Sequence, residues 1–340
     1  MRTKEGRWHE ARSAGILSEV ADPGPDWVVL PWSRSARWFL PREPPEHAKA
    51  GLSVYHPVTF RSRAGWEAAR ALASRGWFRV GKGSCLIPRE VWDAAGHLVP
   101  EGGGLSVSRA NHPGRFLALV FDRSGRSVAF VKVARDTMGS NALATEREAL
   151  ERSEGLLRGP LIAPKIMHHS EGILVFESVE WHARSRPWRL PEKVASALGA
   201  FFRSTASEDG TLGTAHGDFA PWNLLRTDEG WALVDWESSR ADAPPFFDLF
   251  HYLVQSNSEL RRPTRRVIVD GLRGRGWVGA AIGAYADGAQ LDPRTSASAL
   301  RTYLTTTAAE LEPGVPGRSA RVRANLLEAL DGLNPTPATA

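Results

Sequence analysis

The chain of 340 residues contains a single cysteine, Cys85. An internal disulfide is therefore impossible, and a metal site built from several thiolates is excluded. No unbroken apolar run is long enough to cross a bilayer. The start, Met1-Arg2-Thr3-Lys4-Glu5-Gly6-Arg7-Trp8, lacks the apolar core of a secretory signal. Lysine is scarce as well, with 6 residues among 43 basic ones. The net charge of +5 thus comes mostly from arginine, and 38 acidic residues are interspersed with it. No dense basic block appears, and pairs such as Arg261-Arg262 and Arg265-Arg266 read as solvated helix faces, not as a nucleic-acid footprint. A basic surface would also gather an anionic nucleotide. With 42% apolar and 24% charged residues the composition is that of a globular chain. The expectation is a soluble, cytoplasmic protein of two or three domains with neither nucleic acid nor membrane as partner.

Against that background one run stands out: His216-Gly217-Asp218-Phe219-Ala220-Pro221-Trp222-Asn223, with Asp235 following in the apolar segment Trp231-Ala232-Leu233-Val234-Asp235. A kinase catalytic loop places an Asp that takes the substrate hydroxyl's proton and, five residues later, an Asn that holds magnesium; a second Asp downstream holds the metal bridging the nucleotide phosphates. The same spacing occurs here, with Gly217 in place of the usual Arg. Phosphoryl transfer asks little covalent help of a protein, so the task is to set a base, hard cations and a hydroxyl in line. Magnesium keeps several waters, and one carboxylate with one amide oxygen can suffice. Asp218 is the candidate base, Asn223 and Asp235 the candidate ligands for Mg2+, and His216 a brace for the loop. An ordinary turn would use the same residue types; the downstream Asp235 strand tips the reading toward chemistry.

Such a site needs a strand lysine for the nucleotide phosphates and a helix glutamate to orient it. Lys132 lies in Ser127-Val128-Ala129-Phe130-Val131-Lys132-Val133, a run of strand character. The helical segment 141–157 follows, offering Glu146 and Glu148. Helical spacing sets Glu146 on one face with Leu143 and Leu150, and Glu148 on another with Ala144 and Arg152. Between two strand-like runs, Ser108 to Arg115 holds only one glycine, so it is not the G-x-G-x-x-G cover of protein kinases. Backbone amides can still cup phosphate oxygens, which makes Asn111 and Gly114 the candidate nucleotide contacts. The stretch Gly76-Trp77-Phe78-Arg79-Val80-Gly81-Lys82-Gly83 approaches a P-loop, but Gly83 supplies no hydroxyl for magnesium. After the strand Gly172 to Phe176, Glu177 to Glu180 is the candidate hinge for adenine.

His216 to Leu225, Val234 to Glu237 and Pro244-Pro245-Phe246-Phe247-Asp248-Leu249 together resemble the aminoglycoside phosphotransferase and choline kinase-like family. The resemblance spans about residues 104–330. It implies an α+β, bilobal protein kinase-like fold that uses ATP or GTP with Mg2+ to phosphorylate a hydroxyl of a small molecule such as a sugar, an aminoglycoside or an amino alcohol. It also implies that Asp248 braces the catalytic loop, and that the second Glu of the E-R-E run, Glu148, pairs with Lys132, with Glu146 in reserve. Trp222, Trp236, His251 and Tyr252 are candidate walls of the acceptor pocket.

The organisation expected is an N-terminal α+β extension over 1–103, ending at the cluster Gly102-Gly103-Gly104; a kinase-like N-lobe over 104–180; a helical C-lobe over 181–333; and a frayed tail over 334–340. The extension, rich in Trp and Pro, would cap the N-lobe, contact the acceptor or bind a partner. A catalytically inactive scaffold that binds a partner through this extension is the competing function.

Overall fold

The computed structural model describes residues 27–30, 38–41, 44–54, 56–75, 89–110, 114–309 and 317–332. Cys85, Asn111 and the P-loop-like stretch 76–83 lie outside the described residues, as does the expected tail. The chain divides into two compact units, residues 1–147 with 164–180 and residues 148–163 with 181–340. The architecture is α+β, sheet-rich in the first unit and mostly helical in the second. Among the described residues no helix is long and apolar enough to cross a membrane.

The first unit is built on an antiparallel sheet. Strands β1 (Trp27–Leu30) and β2 (Trp38–Pro41) precede helices α1 (Pro45–Gly51), α2 (Phe60–Ser74) and α3 (Arg89–Ala95). Then come β3 (Gly104–Arg109), β4 (Arg115–Phe121), β5 (Ser127–Ala134) and α4 (Thr137–Ser153), followed by β6 (Leu161–Ile162), which belongs to the second unit, and by β7 (Ile166–Ser170) and β8 (Ile173–Glu177). The strand order is β1-β2-β3-β4-β5-β8-β7.

Sheet pairing runs across the boundary expected after residue 103. Trp38 pairs with Ser108 and Phe39 with Val107, so the N-terminal hairpin extends the sheet that carries Lys132. Val91, Ala94 and Ala95 of α3 join Val107, Phe116, Ala118 and Val131 in one buried cluster. The glycine cluster still acts as a turn: Gly102 has φ 70°, and a side chain on Gly103 would meet the Phe121 carbonyl oxygen. That turn leads into a strand of the same sheet.

Helix α4 starts four residues before the expected position because Asp136 caps it, its Oδ1 accepting the Gly139 N–H at 2.7 Å. The helix ends at Ser153, and Gly155, at φ 73°, provides the left-handed turn after it. The division into units falls within this helix, between Arg147 and Glu148.

In the second unit α5 (Glu192–Thr205) packs against α8 (Gly276–Ala289), with Gly199 and Gly288 allowing the two backbones to approach. Around them lie β9 (Gly213–Ala215), β10 (Leu224–Arg226), β11 (Trp231–Leu233), β12 (Arg240–Ala243), α6 (Phe247–Leu260), α7 (Arg265–Leu272), α9 (Ser296–Ala309) and α10 (Arg318–Asp331). β10 and β11 form an antiparallel hairpin, Leu224 opposite Leu233, and β11 pairs in parallel with β6. The core of this unit includes Trp236, Phe250, Tyr252 and Phe201, each fully or almost fully buried. Trp236 packs its ring against Phe201 and donates to the Leu233 carbonyl. Tyr252 is held between Arg184 and the Pro187 carbonyl. Both were candidate pocket walls; they are core instead, because each polar tip has a partner inside the unit and the ring has nowhere to reach solvent.

A Val91→Asp variant tests whether the N-terminal segment is integral to the first sheet. The buried charge is expected to lower stability by roughly 3–5 kcal/mol, read by urea unfolding. Unfolding indistinguishable from the parent would show a detachable extension.

Candidate functional site

The loop between β9 and β10 carries His216, Asp218 and Asn223, and its shape follows from one buried carboxylate. Asp248, in the first turn of α6, accepts the His216 N–H through Oδ2 at 2.7 Å and the Gly217 N–H through Oδ1 at 3.0 Å. These backbone donors belong to a loop and have no strand partner, so the carboxylate takes the place of a sheet. Gly217 has φ 86°, and a Cβ there would lie 1.9 Å from the Ser238 carbonyl oxygen. Only glycine fits, which is the structural reason for the departure from the kinase Arg.

His216 is wholly buried. Its Nε2 bonds the Val234 carbonyl at 3.0 Å, and its Nδ1 accepts the Asp218 N–H at 3.3 Å. The proton must therefore be on Nε2, and the ring bridges the loop to the residue before Asp235. Burial lowers the His216 pKa from its usual value, with the Asp248, Asp218 and Asp235 carboxylates pulling the other way. The same burial raises the Asp248 carboxyl, opposed by His216 and by the two backbone donors. Trp236 stands edge-on to the imidazole at 4.8 Å.

The Asp218 carboxylate is gripped at both oxygens. Asn223 Nδ2 donates to Oδ2 and to the Asp218 carbonyl, both at 2.9 Å, and His251 Nε2 lies 3.0 Å from Oδ1. With its amide nitrogen committed, Asn223 has its carbonyl oxygen left as a donor atom suited to a hard cation. Asn223 and Asp235 are linked through backbone, since Val234 N–H donates to the Asn223 carbonyl at 3.0 Å. Asp235 has the left-handed backbone φ 69°, ψ 64°, a conformation that costs energy in a residue other than glycine and that recurs at functional positions. Asp218, Asn223, Asp235 and His216 are thus brought together in one unit. No group of three or more His, Cys, Asp or Glu suited to a metal occurs among the described residues; the set here is one amide and one carboxylate.

In the first unit Lys132 is buried on β5, and its ammonium is held by both oxygens of Glu146, at 2.8 and 2.7 Å. This corrects the pairing with Glu148. Leu143, Glu146, Ala149 and Leu150 are all buried along one stripe of α4, whereas Glu148 is exposed and reaches Arg152 at 3.9 Å. The helical period decides the matter: positions 146 and 148 are about 200° apart around the helix and cannot both face the sheet. Gly114 follows the loop after β3. Its carbonyl accepts the Arg135 N–H, and a Cβ would lie 2.0 Å from Asp136 Oδ2, so any larger residue there would have to displace the Asp136 carboxylate. Glu177 is still within the sheet, opposite Ala129, and its N–H is taken by the Lys165 carbonyl at 2.9 Å. Residues 178–180 follow, before the chain re-enters the second unit at Trp181.

Sequence reasoning missed His251 as a partner of Asp218, and with it Tyr303 and Arg323 behind. His251 carried a signal, since it follows Asp248 by three residues on one helix face. Tyr303 and Arg323 lie on other helices and carried none.

Residues 165–288 match the model of the phosphotransferase enzyme family. The resemblance read from the motifs holds over that stretch, which includes the whole catalytic-loop motif and Asp248. No curated protein matches. Among solved structures, the ADP-bound aminoglycoside phosphotransferase APH(2'')-Ib is 8% identical, with 70% of this chain and 98% of that one covered at a TM-score of 0.42. Amicoumacin kinase hAmiN, with AMP-PNP, Ca2+ and Ami, is 11% identical over 70% of this chain and 90% of its own, TM-score 0.42. Macrolide 2'-phosphotransferase MphH from Brachybacterium faecium is 16% identical over 72% and 98%, TM-score 0.40.

Two measurements follow from these contacts. Glu146→Ala removes the carboxylate that holds a buried ammonium and is expected to destabilise by roughly 3–5 kcal/mol in chemical unfolding, with Glu148→Ala within about 0.5 kcal/mol of the parent. For His216 the folded pKa is the lower one, so acid protonates the unfolded chain first. Its contribution to stability is fully present above about pH 6.5 and is lost as the pH falls toward the lowered folded value. A His216→Asn variant is expected to narrow its stability gap from the parent on acidification through that window. A gap independent of pH would contradict the neutral, buried imidazole.

Proposed function

We propose that this chain is a small-molecule O-kinase, transferring the terminal phosphoryl group of ATP or GTP to a hydroxyl of a sugar, an aminoglycoside or an amino alcohol. The observation that carries the reading is the doubly held Asp218 carboxylate beside Asn223 and Asp235, within the stretch that matches the phosphotransferase family. A base for proton abstraction works from hydrogen-bond distance, and a carboxylate fixed at both oxygens loses little freedom when the hydroxyl arrives.

In this reading Asp218 takes the proton of the acceptor hydroxyl, and His216 keeps the loop's shape without reacting. Asn223, through its amide oxygen, and Asp235 would hold Mg2+, which when bound neutralises charge on the phosphates. Lys132, oriented by Glu146, takes the role of phosphate-binding lysine. Residues 178–180, with Glu177 at the strand end, and the loop of Asn111 and Gly114 remain the proposed nucleotide contacts. A nucleotide donor suits a cytoplasmic setting, and neither a nucleic acid nor a membrane enters the reading.

One observation favours a second reading, a kinase-like scaffold without turnover that binds a partner through the N-terminal segment. The Asp136 carboxylate lies against Gly114, and an anion is a poor neighbour for a phosphate-cradling turn. Release of ADP or GDP on adding each member of a panel of hydroxylated metabolites separates the two. Acceptor-dependent release is expected, with Asp218→Asn lowering the turnover about 10²–10⁴-fold. Magnesium-dependent nucleotide binding with no turnover on any acceptor would favour the scaffold.

A further inference from the structure

Behind Asp218 a line of polar side chains runs through three helices of the second unit. His251 on α6 is buried, with Nε2 on Asp218 Oδ1 at 3.0 Å and Nδ1 3.2 Å from the Tyr303 hydroxyl. Tyr303 on α9 is wholly enclosed and also meets Arg323 Nη2, from α10, at 3.4 Å. Arg323 is itself buried, with Nε on Thr307 Oγ1 at 3.0 Å and Nη1 on Ser319.

The direction of every bond in this line can be worked out from its two ends. A guanidinium only donates, so the Tyr303 oxygen accepts from Arg323, and in a neutral imidazole whose Nε2 faces the Asp218 carboxylate, Nδ1 is left to accept the Tyr303 proton. An imidazole that accepts at Nδ1 carries its proton on Nε2 and donates to Asp218. The other end agrees, because an ionised carboxylate cannot donate and would repel an unprotonated Nε2. Burial pushes the Tyr303 phenol up to about 12, so the hydroxyl keeps the proton it gives. Arginine to tyrosine to histidine to aspartate, all donors point the same way.

We propose that His251, oriented by Tyr303 and Arg323, is a positioning residue that holds the Asp218 carboxylate in the plane from which it takes the acceptor's proton. The proposal rests on the phosphotransferase reading above. Asn223 alone would secure only Oδ2, leaving the carboxylate free to turn about its terminal torsion, which is broad for an aspartate. A donor at Oδ1, itself locked in one tautomer, removes that freedom. The arrangement resembles the orientation of a working group by a partner that never touches substrate, where loss of the partner costs about 10–100-fold.

The test uses the full-length protein with His251→Leu, His251→Gln, Tyr303→Phe and Asp218→Asn. His251→Leu is expected to lower kcat about 10–100-fold with KM for nucleotide and acceptor changed less than about 2-fold. His251→Gln, whose amide N–H can reach Oδ1, is expected to recover most of that loss, and Tyr303→Phe to fall between. Thermal melts of each variant are run alongside, and kcat is compared at a temperature where every variant is fully folded. Full kcat in His251→Leu, with Asp218→Asn inactive, overturns the positioning role and leaves the kinase reading intact; full kcat in Asp218→Asn overturns both. Nitrogen NMR of 15N-histidine-labelled parent protein gives a readout independent of turnover: a single tautomer protonated on Nε2, perturbed by Tyr303→Phe, is expected. A proton on Nδ1, or fast exchange between tautomers, overturns the proposal even if no acceptor is found.

Discussion

The site in the second unit depends on a buried carboxylate that bonds to backbone. Asp248 sits in the first turn of α6 and takes two consecutive loop N–H groups, those of His216 and Gly217. Everything else in the loop is arranged from that grip. Gly217 takes the positive φ that lets both amides point one way, and His216 is driven into the core, where burial favours its neutral form. From there it reaches back to Val234 and so fixes the β11 end, with Asp235, against the loop. Removing charge from water to do this is costly, and the two N–H donors offset part of that cost.

The first unit solves a related problem with a salt bridge. Lys132 on β5 and Glu146 on α4 are both buried, and each is satisfied by the other at short range. A pair of this kind adds little net stability but is sharply intolerant of losing one member. Its value is geometric: a long, flexible lysine is confined to one place. How it meets a nucleotide belongs to the proposed function, and the pair itself is a property of one sheet and one helix.

Much of this was legible in the residues. The β5 strand with Lys132, the spacing of His216, Asp218 and Asn223, and the apolar strand before Asp235 all follow from local pattern, because strand alternation and loop chemistry are written over a few neighbours. The choice between Glu146 and Glu148 was legible too, in the 3.6-residue period that sets Glu146 with Leu143 and Leu150; likeness to relatives pointed the other way, and the period prevailed. What was not legible is long-range. Nothing near Trp38 and Phe39 announces Ser108 and Val107 as their partners, and nothing in α9 or α10 marks Tyr303 and Arg323 as lying behind His251. Trp236 and Tyr252 were misplaced for the same reason. An aromatic beside a motif looks like a pocket wall until the neighbours that enclose it are known.

Asp248 and His251 are three residues apart on α6, and the loop meets both. One extra or missing residue in the connection at Pro244-Pro245-Phe246 would turn the helix by about 100° and carry both side chains off the loop together. Surface connections ordinarily drift in length between relatives. This one holds two prolines and a buried Phe246 at φ 64°, whose N–H bonds the Tyr285 hydroxyl, so its length and its last residue together set where both partners of the loop stand.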